Sequence, residues 1–251
     1  MTEGLARQGM DDELERLKAQ LAERERLVAE KERQLEHYAR DLNDTFKEER
    51  ARSVELRDSY VHTVRALTNA VEARDAYTGK HAERVAAYGL ELARVIDAAL
   101  ADDPQSEMGF LLHDIGKVAV PDGILHKKEA LNAEERALMR THPAVGWDIL
   151  AGIPFLDAAR AVVRHHHERW DGGGYPDGLA GEDIPLSARV FAVADALDAI
   201  TTERPYRSAQ SFAAARAAIS AGSGSQFDPR MVDVLVSVSD ETLERLRREI
   251  G

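Results

Sequence analysis

The chain contains no cysteine. That absence excludes a disulfide-stapled scaffold and any thiolate zinc or iron–sulfur site, so a bound metal must rest on histidines and carboxylates. No uninterrupted apolar run approaches the roughly 18–20 residues that cross a bilayer. The first residues also show no basic-then-apolar leader pattern. A soluble, cytoplasmic protein without membrane insertion is expected. Positive charge is in deficit, with 33 Lys and Arg against 45 Asp and Glu and a net charge of -12. Such a balance argues against nucleic acid as the main partner. An anionic small molecule stays open where metal ions and a few cations reverse the field locally. Strand-like alternation is nowhere sustained, and the expected fold class is all-α.

Glycine and proline are missing from residues 11–57, a stretch rich in Glu, Arg, Leu and Ala. Leu14, Leu21, Val28, Leu35 and Leu42 recur there every seven residues, with Leu17 and Tyr38 at the companion position. One narrow apolar stripe on a long charged helix is the pattern of a coiled coil, although Arg24 and Lys31 interrupt the companion positions. A parallel homodimer through residues 1–58 is expected, because an isolated stripe needs a partner. No sensory pocket is visible in this segment, so a signal would arrive along the helix or from an upstream sensor protein. From about residue 58 the pattern broadens. Tyr60, Val64, Leu67 and Val71 form a face that should enter the core of a second unit, residues 59–251.

That unit holds the chemistry. Residues 165–176 read His-His-His-Glu-Arg-Trp-Asp-Gly-Gly-Gly-Tyr-Pro. Imidazole is the commonest metal ligand, and glycines let the following turn fold tightly or approach a ligand. The preceding helix, 155–168, carries Leu156, Ala159, Val162 and Val163 inward. Farther upstream, an apolar helix delivers His113 and Asp114 together, after which Gly116 can turn the chain out and Lys117 adds a cation suited to phosphate. Neighbouring helical positions lie about 100° apart, which suits a pair of metals or one metal at a helix end. Asn132 and Glu135 form a capping-box pattern. Pro143 fits the first turn of the next helix, leaving His142 at a junction where side chains can converge. His81 opens a helix whose face is Val85, Tyr88, Leu92 and Val95, and His126 reads as a solvated loop residue. Asp195 and Asp198, three apart on an apolar helix, occupy neighbouring positions on one face. Such carboxylates are costly to bury unless paired or metal-bound. Arg204 and Arg207 beyond that helix suit either phosphate recognition or a helix C-terminus. Ser211 should cap helix 212–220, and Asp228-Pro229 should start another.

Taken in order, His113-Asp-Ile-Gly-Lys117 and His166-His-Glu-Arg-Trp-Asp-Gly-Gly-Gly-Tyr-Pro176 resemble the HD-GYP family of HD-superfamily metal-dependent phosphohydrolases. The likeness spans about residues 70–230 and includes Asp75–His81, Thr141-His142-Pro143, Asp195–Ala199, Arg204–Arg207 and Phe227–Pro229. It implies a helical catalytic domain holding a binuclear iron or manganese centre and hydrolysing cyclic di-GMP. By position, the resemblance makes His81, His113, Asp114, His142, His166, His167 and Asp195 the metal ligands, with Asp114 bridging. Asp114 and Lys117 would be catalytic, Lys117, Tyr175, Arg204 and Arg207 would meet substrate, and Asp198 would support the site from behind. Some relatives hold a third metal through a glutamate where this chain has Tyr77. Two metals, and the linear dinucleotide pGpG as main product, are therefore expected. The alternatives are a non-catalytic scaffold with the same fold and a hydrolase of another cyclic dinucleotide.

Overall fold

A computed structural model describes residues 2–74, 80–203 and 208–250. Tyr77, Arg204 and Arg207 lie outside the described residues. The chain divides into two units, Met1–Asp58 and Ser59–Gly251. Among the described residues the structure is helical and has no strand, only an isolated bridge between Ser223 and Phe227. No helix of the described residues is long and apolar enough to cross a membrane.

One uninterrupted helix, α1, runs Thr2–Glu72. Within the first unit its stripe residues Leu14, Leu21, Val28, Leu35 and Leu42 are all exposed. Within the second unit its last turns are tied into a core. Val64 is buried, Tyr60 stacks on Phe155 with centroids 4.3 Å apart, and Arg65 pairs with Glu107 at 3.0 Å. Here the structure corrects the expected face. Leu67 points to solvent, and Thr68 is the buried residue, donating its hydroxyl to the Leu111 carbonyl at 3.1 Å. A threonine can go inside because that carbonyl satisfies it.

The second unit is built from α2 (His81–Ile96), α3 (Ala98–Asp102), α4 (Pro104–Leu112), α5 (Asp122–Leu125), α6 (Ala133–Met139), α7 (His142–Ile149), α8 (Asp157–His165), α9 (Leu186–Thr201), α10 (Phe212–Ala221), α11 (Pro229–Ser237) and α12 (Asp240–Ile250). Three- and four-residue spacing of apolar side chains directs α2 onto α9 and α4 onto α8. Tyr88 and Leu92 of α2, Phe110 of α4, Val162 of α8, and Phe191 and Leu197 of α9 fill the centre with essentially no exposure. Each such large side chain is worth about 1.5–3 kcal/mol of burial. Val95, expected on the same face of α2, is exposed, and the neighbouring Ile96 packs against the core instead.

Local signals set the helix ends. The capping box at α6 is complete, with Asn132 Oδ1 receiving Glu135 N at 2.8 Å and Glu135 Oε2 receiving Asn132 N at 2.9 Å. Asp103, Ser211 and Asp228 cap α4, α10 and α11 through their side chains. The helix expected over 155–168 is shorter: a 3₁₀ turn at Pro154–Leu156 precedes α8, which stops at His165. His126 is exposed, as expected, and it has a local role. It caps α5, and its ring nitrogens meet the carbonyls of Asp122 and Arg74.

Candidate metal centre

Four helix ends converge. His81 is the first residue of α2, His113 and Asp114 follow α4, His142 opens α7, and His166 and His167 follow α8. Asp195 comes from the middle of α9. His142 Nε2 lies 3.2 Å from His166 Nε2 and 3.2 Å from Asp114 Oδ1. His113 Nε2 is 3.0 Å from Asp114 Oδ2, and His166 Nε2 is 3.9 Å from Asp114 Oδ1. One ligand atom from each of His142, His166 and His167 falls within a common 4.8 Å. On the far side, His81 Nε2 approaches Asp195 Oδ1 at 3.5 Å. The rings of His81 and His113 are 5.6 Å apart, and those of His113 and His166 are 5.3 Å apart. A separation of more than eighty residues between His81 and His166 thus closes within the diameter of a few side chains.

The backbone decides which nitrogen faces the centre. His113 Nδ1 meets the Phe110 carbonyl at 2.9 Å, His142 Nδ1 the Met139 carbonyl at 2.8 Å, and His166 Nδ1 the Val163 carbonyl at 2.9 Å. All three partners lie three residues earlier, at a helix end or junction. A carbonyl only accepts, so each Nδ1 carries a proton and Nε2 is the nitrogen turned inward, a lone-pair donor wherever the ring is neutral. His81 has the same polarity by a different route, since its Nδ1 donates to Asp198 Oδ2 at 2.7 Å. Asp198 is buried and also receives Arg84 Nε at 2.6 Å and Nη2 at 3.2 Å. Burial works against the charge on Asp198, yet the hydrogen bonds from His81 and Arg84 outweigh it and hold its pKa down at about 2.

This polarity passes the chemical test for a metal. Lone pairs on His142 and His166 face one another at hydrogen-bond distance, an arrangement relieved by a shared proton or a cation between them. Burial, reinforced by the neighbouring histidines, pushes the His166 pKa well down and that of His167 to about 3. Both imidazoles are therefore neutral at pH 7, the form that ligates. Burial opposes charge on Asp114, but His113 and Lys117 hold its carboxyl well below the usual range. At His113 the adjacent Asp114 carboxylate overcomes the opposing effect of burial and raises the imidazole. The neutral imidazoles of His166 and His167 beside the ionised Asp114 offer nitrogen and oxygen donors of the kind a transition metal takes, and Asp198 orients the His81 ring from behind as outer partners of such donors do.

Two glycines permit the geometry. Gly116, in the 3₁₀ turn Ile115–Ala119, lies so close to α7 that a Cβ would collide with the His142 carbonyl. Gly174 would drive a Cβ into the Arg169 backbone. The loop after His167 is organised by Glu168, a residue to which the sequence attaches no role. Its buried carboxylate accepts the backbone N–H groups of Asp177 at 2.8 Å, Gly178 at 3.1 Å and Leu179 at 3.1 Å. Arg164 grips the same loop through Asp177, with both contacts at 2.7 Å. Tyr175 is thereby laid on His167, with ring centroids 4.7 Å apart. Burial pushes its phenol up to about 12. Lys117 Nζ sits 2.8 Å from Asp114 Oδ2. His165 stands behind the cluster, its Nδ1 3.5 Å from Asp177.

Two cavities flank the cluster. One of about 210 Å³ is lined by His81, Asp114, Lys117 and the end of α1 at Thr68 and Glu72. The other, about 540 Å³, lies between Tyr175, Gln226 and the small side chains Ala192 and Ala196 of α9. Glu72, also unremarked in the sequence, accepts Ala82 N at 2.8 Å and Lys80 N at 3.2 Å, bracketing the backbone of His81.

Comparison with known proteins gives the family. A family model described as HD domain matches residues 65–231. The chain belongs to the HD domain family. Its motifs are those of the HD-GYP branch, and the all-α expectation agrees with the fold. A protein named 3'3'-cGAMP-specific phosphodiesterase 2, from Vibrio cholerae, is 39% identical over 209 residues, 82% of this chain and 40% of the relative. The cyclic di-GMP phosphodiesterase response regulator RpfG of Xanthomonas campestris is 40% identical over 184 residues, 72% of this chain and 49% of the relative. A cyclic di-GMP phosphodiesterase of Thermotoga maritima is 34% identical over 197 residues, 78% of this chain and 54% of the relative. The chain thus spans about half or less of the length of these relatives. Among solved structures, a cyclic GMP-AMP-specific phosphodiesterase of V. cholerae superposes with a TM-score of 0.52 at 20% identity, covering 74% of this chain and 52% of that one. That likeness concerns the fold alone.

Proposed function

We propose that the unit Ser59–Gly251 is a metal-dependent phosphodiesterase that opens a cyclic dinucleotide. The observation that carries this reading is the common inward polarity of the His81, His113, His142 and His166 imidazoles around Asp114, with Lys117 alongside. His81, His113, Asp114, His142, His166, His167 and Asp195 would hold two metal ions, iron or manganese. When bound, the pair supplies Lewis-acid polarisation of a phosphoryl oxygen and a lowered pKa for water. Hydrolysis adds the water oxygen to phosphorus and breaks one P–O3′ bond, and the departing oxygen takes a proton. Lys117 keeps its ammonium beside Asp114 and offers positive charge and a proton to that departing oxygen. Glu168 and Arg164 hold the loop so that Tyr175 walls one side of the cleft.

The substrate we favour is cyclic di-GMP, opened mainly to pGpG, with Arg204 and Arg207 as phosphate contacts. A second reading keeps the chemistry and changes the base: two relatives of nearly equal identity are named for different cyclic dinucleotides. Turnover of cyclic di-GMP and 3′,3′-cGAMP by protein loaded anaerobically with iron or manganese, with product identification, tests both. Metal-loaded protein that leaves both compounds intact would refute the hydrolase and leave a scaffold role. We also propose that the exposed stripe of α1 pairs with a second copy of this chain, placing any sensor input on that helix.

A further inference from the structure

Arg140 stands over Tyr175, with its guanidinium carbon 5.0 Å from the ring centroid. That ring in turn stacks on His167. Arg140 is exposed at the C-cap of α6, two residues before His142. Among the described residues of Ser59–Gly251, every other arginine side chain is engaged by a carboxylate or a carbonyl. Arg140 alone among them makes neither an ion pair nor a hydrogen bond through its guanidinium. In a chain of net charge -12, a cation left without an anion beside a cluster of ligands is a notable exception. A favourable place at a helix C-terminus explains its charge but not its seat on an aromatic wall of the cleft, where stacking restrains the planar fork.

A cyclic dinucleotide carries two phosphodiesters in one ring. Only one can react at the His–Asp cluster, and the other keeps its negative charge elsewhere in the cleft. Lys117 is already committed to Asp114 at 2.8 Å. We infer that Arg140 contacts substrate, binding the second, non-reacting phosphodiester while Tyr175 holds the guanidinium plane in place. This rests on the reading of the cluster as a cyclic dinucleotide site. A guanidinium matches two phosphate oxygens at once, and a restrained one loses less freedom on binding.

The test compares wild type, Arg140→Ala and Arg140→Lys on substrates with two phosphodiesters and with one. Manganese-loaded protein is assayed with cyclic di-GMP, 3′,3′-cGAMP and bis(p-nitrophenyl) phosphate. Binding of the two cyclic dinucleotides to metal-free protein is measured by calorimetry. Arg140→Ala should raise KM and Kd for the preferred cyclic dinucleotide by roughly ten- to a hundredfold. Its kcat should stay within about twofold, the signature of lost binding common to ground and transition states. Turnover of bis(p-nitrophenyl) phosphate should not change, and Arg140→Lys should fall between. An unmoved KM and Kd, or equal losses on one- and two-phosphate substrates, would overturn the assignment. Wild type that binds a cyclic dinucleotide more tightly than Arg140→Ala but hydrolyses nothing would uphold Arg140 and remove the catalytic reading. Wild type that binds no cyclic dinucleotide would remove both.

Discussion

His142 and His166 face each other through Nε2 atoms 3.2 Å apart, and each has its Nδ1 proton tied to a carbonyl three residues earlier. Lone pairs in that position repel unless a positive charge lies near both. Iron or manganese should therefore stabilise the folded protein by mass action, about 2.7 kcal/mol at a free metal concentration near 100 Kd. For a domain of this size that is roughly a 5–10 °C rise in Tm. Thermal melts with manganese and with chelator measure it, and His166→Ala should abolish most of the difference. Identical melts with and without metal would contradict the cluster's assignment.

Glu168 should matter to stability more than its position beside two histidines suggests. Truncation to alanine removes the acceptor of three partly buried backbone donors. The cost is about 1.5–3 kcal/mol, read from the midpoint of urea unfolding. Glu168→Gln keeps two of the three contacts at most, so it should lie between wild type and alanine. A variant as stable as wild type would mean the loop holds itself.

The Arg164–Asp177 pair should make the same loop acid-sensitive. The hydrogen bond from Arg164 holds the Asp177 carboxyl below its ordinary value. A depressed carboxyl contributes stability above its unfolded pKa, about 3.9, and loses it as pH falls through the depressed folded value. The pair is partly exposed, so the effect is small and weakens in salt. Arg164 and Arg160 both lie over Trp147, which makes tryptophan emission between pH 6 and 3 a suitable probe. Asp177→Asn should remove the part of the transition that belongs to this pair.

Lys80 adopts a left-handed conformation, φ 82, immediately before His81. Such a backbone costs an L-residue about 1–2 kcal/mol, whereas glycine pays only for its extra freedom when unfolded. Lys80→Gly should raise stability by about 0.5–1 kcal/mol with an unchanged denaturant slope. A loss instead would assign the weight to the Lys80 side chain, which bonds the Ile250 carbonyl.

The stripe on α1 predicts association. Introducing lysine at Leu21 and Leu35, both exposed along the helix, should shift sedimentation toward monomer while leaving helical circular dichroism of the second unit intact. Equal sedimentation for wild type and the double variant would dismiss the stripe as an interface.

Some features of this protein are legible in the chain because they depend on near neighbours. The capping box at Asn132 and Glu135, the proline starts of α7 and α11, and the apolar spacing of α2, α8 and α9 are statements about three or four consecutive residues. The ordered motifs around His113 and His166 were enough to indicate the HD-GYP family. Such signals do not say which of two adjacent residues turns inward. Thr68 went inside in place of Leu67 because the Leu111 carbonyl, forty-three residues away, was there to receive it.

By itself, then, the sequence determined helical class, family and the kinds of ligand on offer, since a helix's period and a side chain's chemistry are local properties. Only the tertiary structure decided that Nε2 rather than Nδ1 faces inward at four histidines, because the proton-holding partners are Phe110, Met139 and Val163 carbonyls and the distant Asp198. It also decided that Glu168 gathers a loop and that Arg140 alone among the described arginines of its unit is left without a bonding partner. Those outcomes depend on which groups meet across long stretches of chain, and charge or polarity at one position carries no record of the partner it will find.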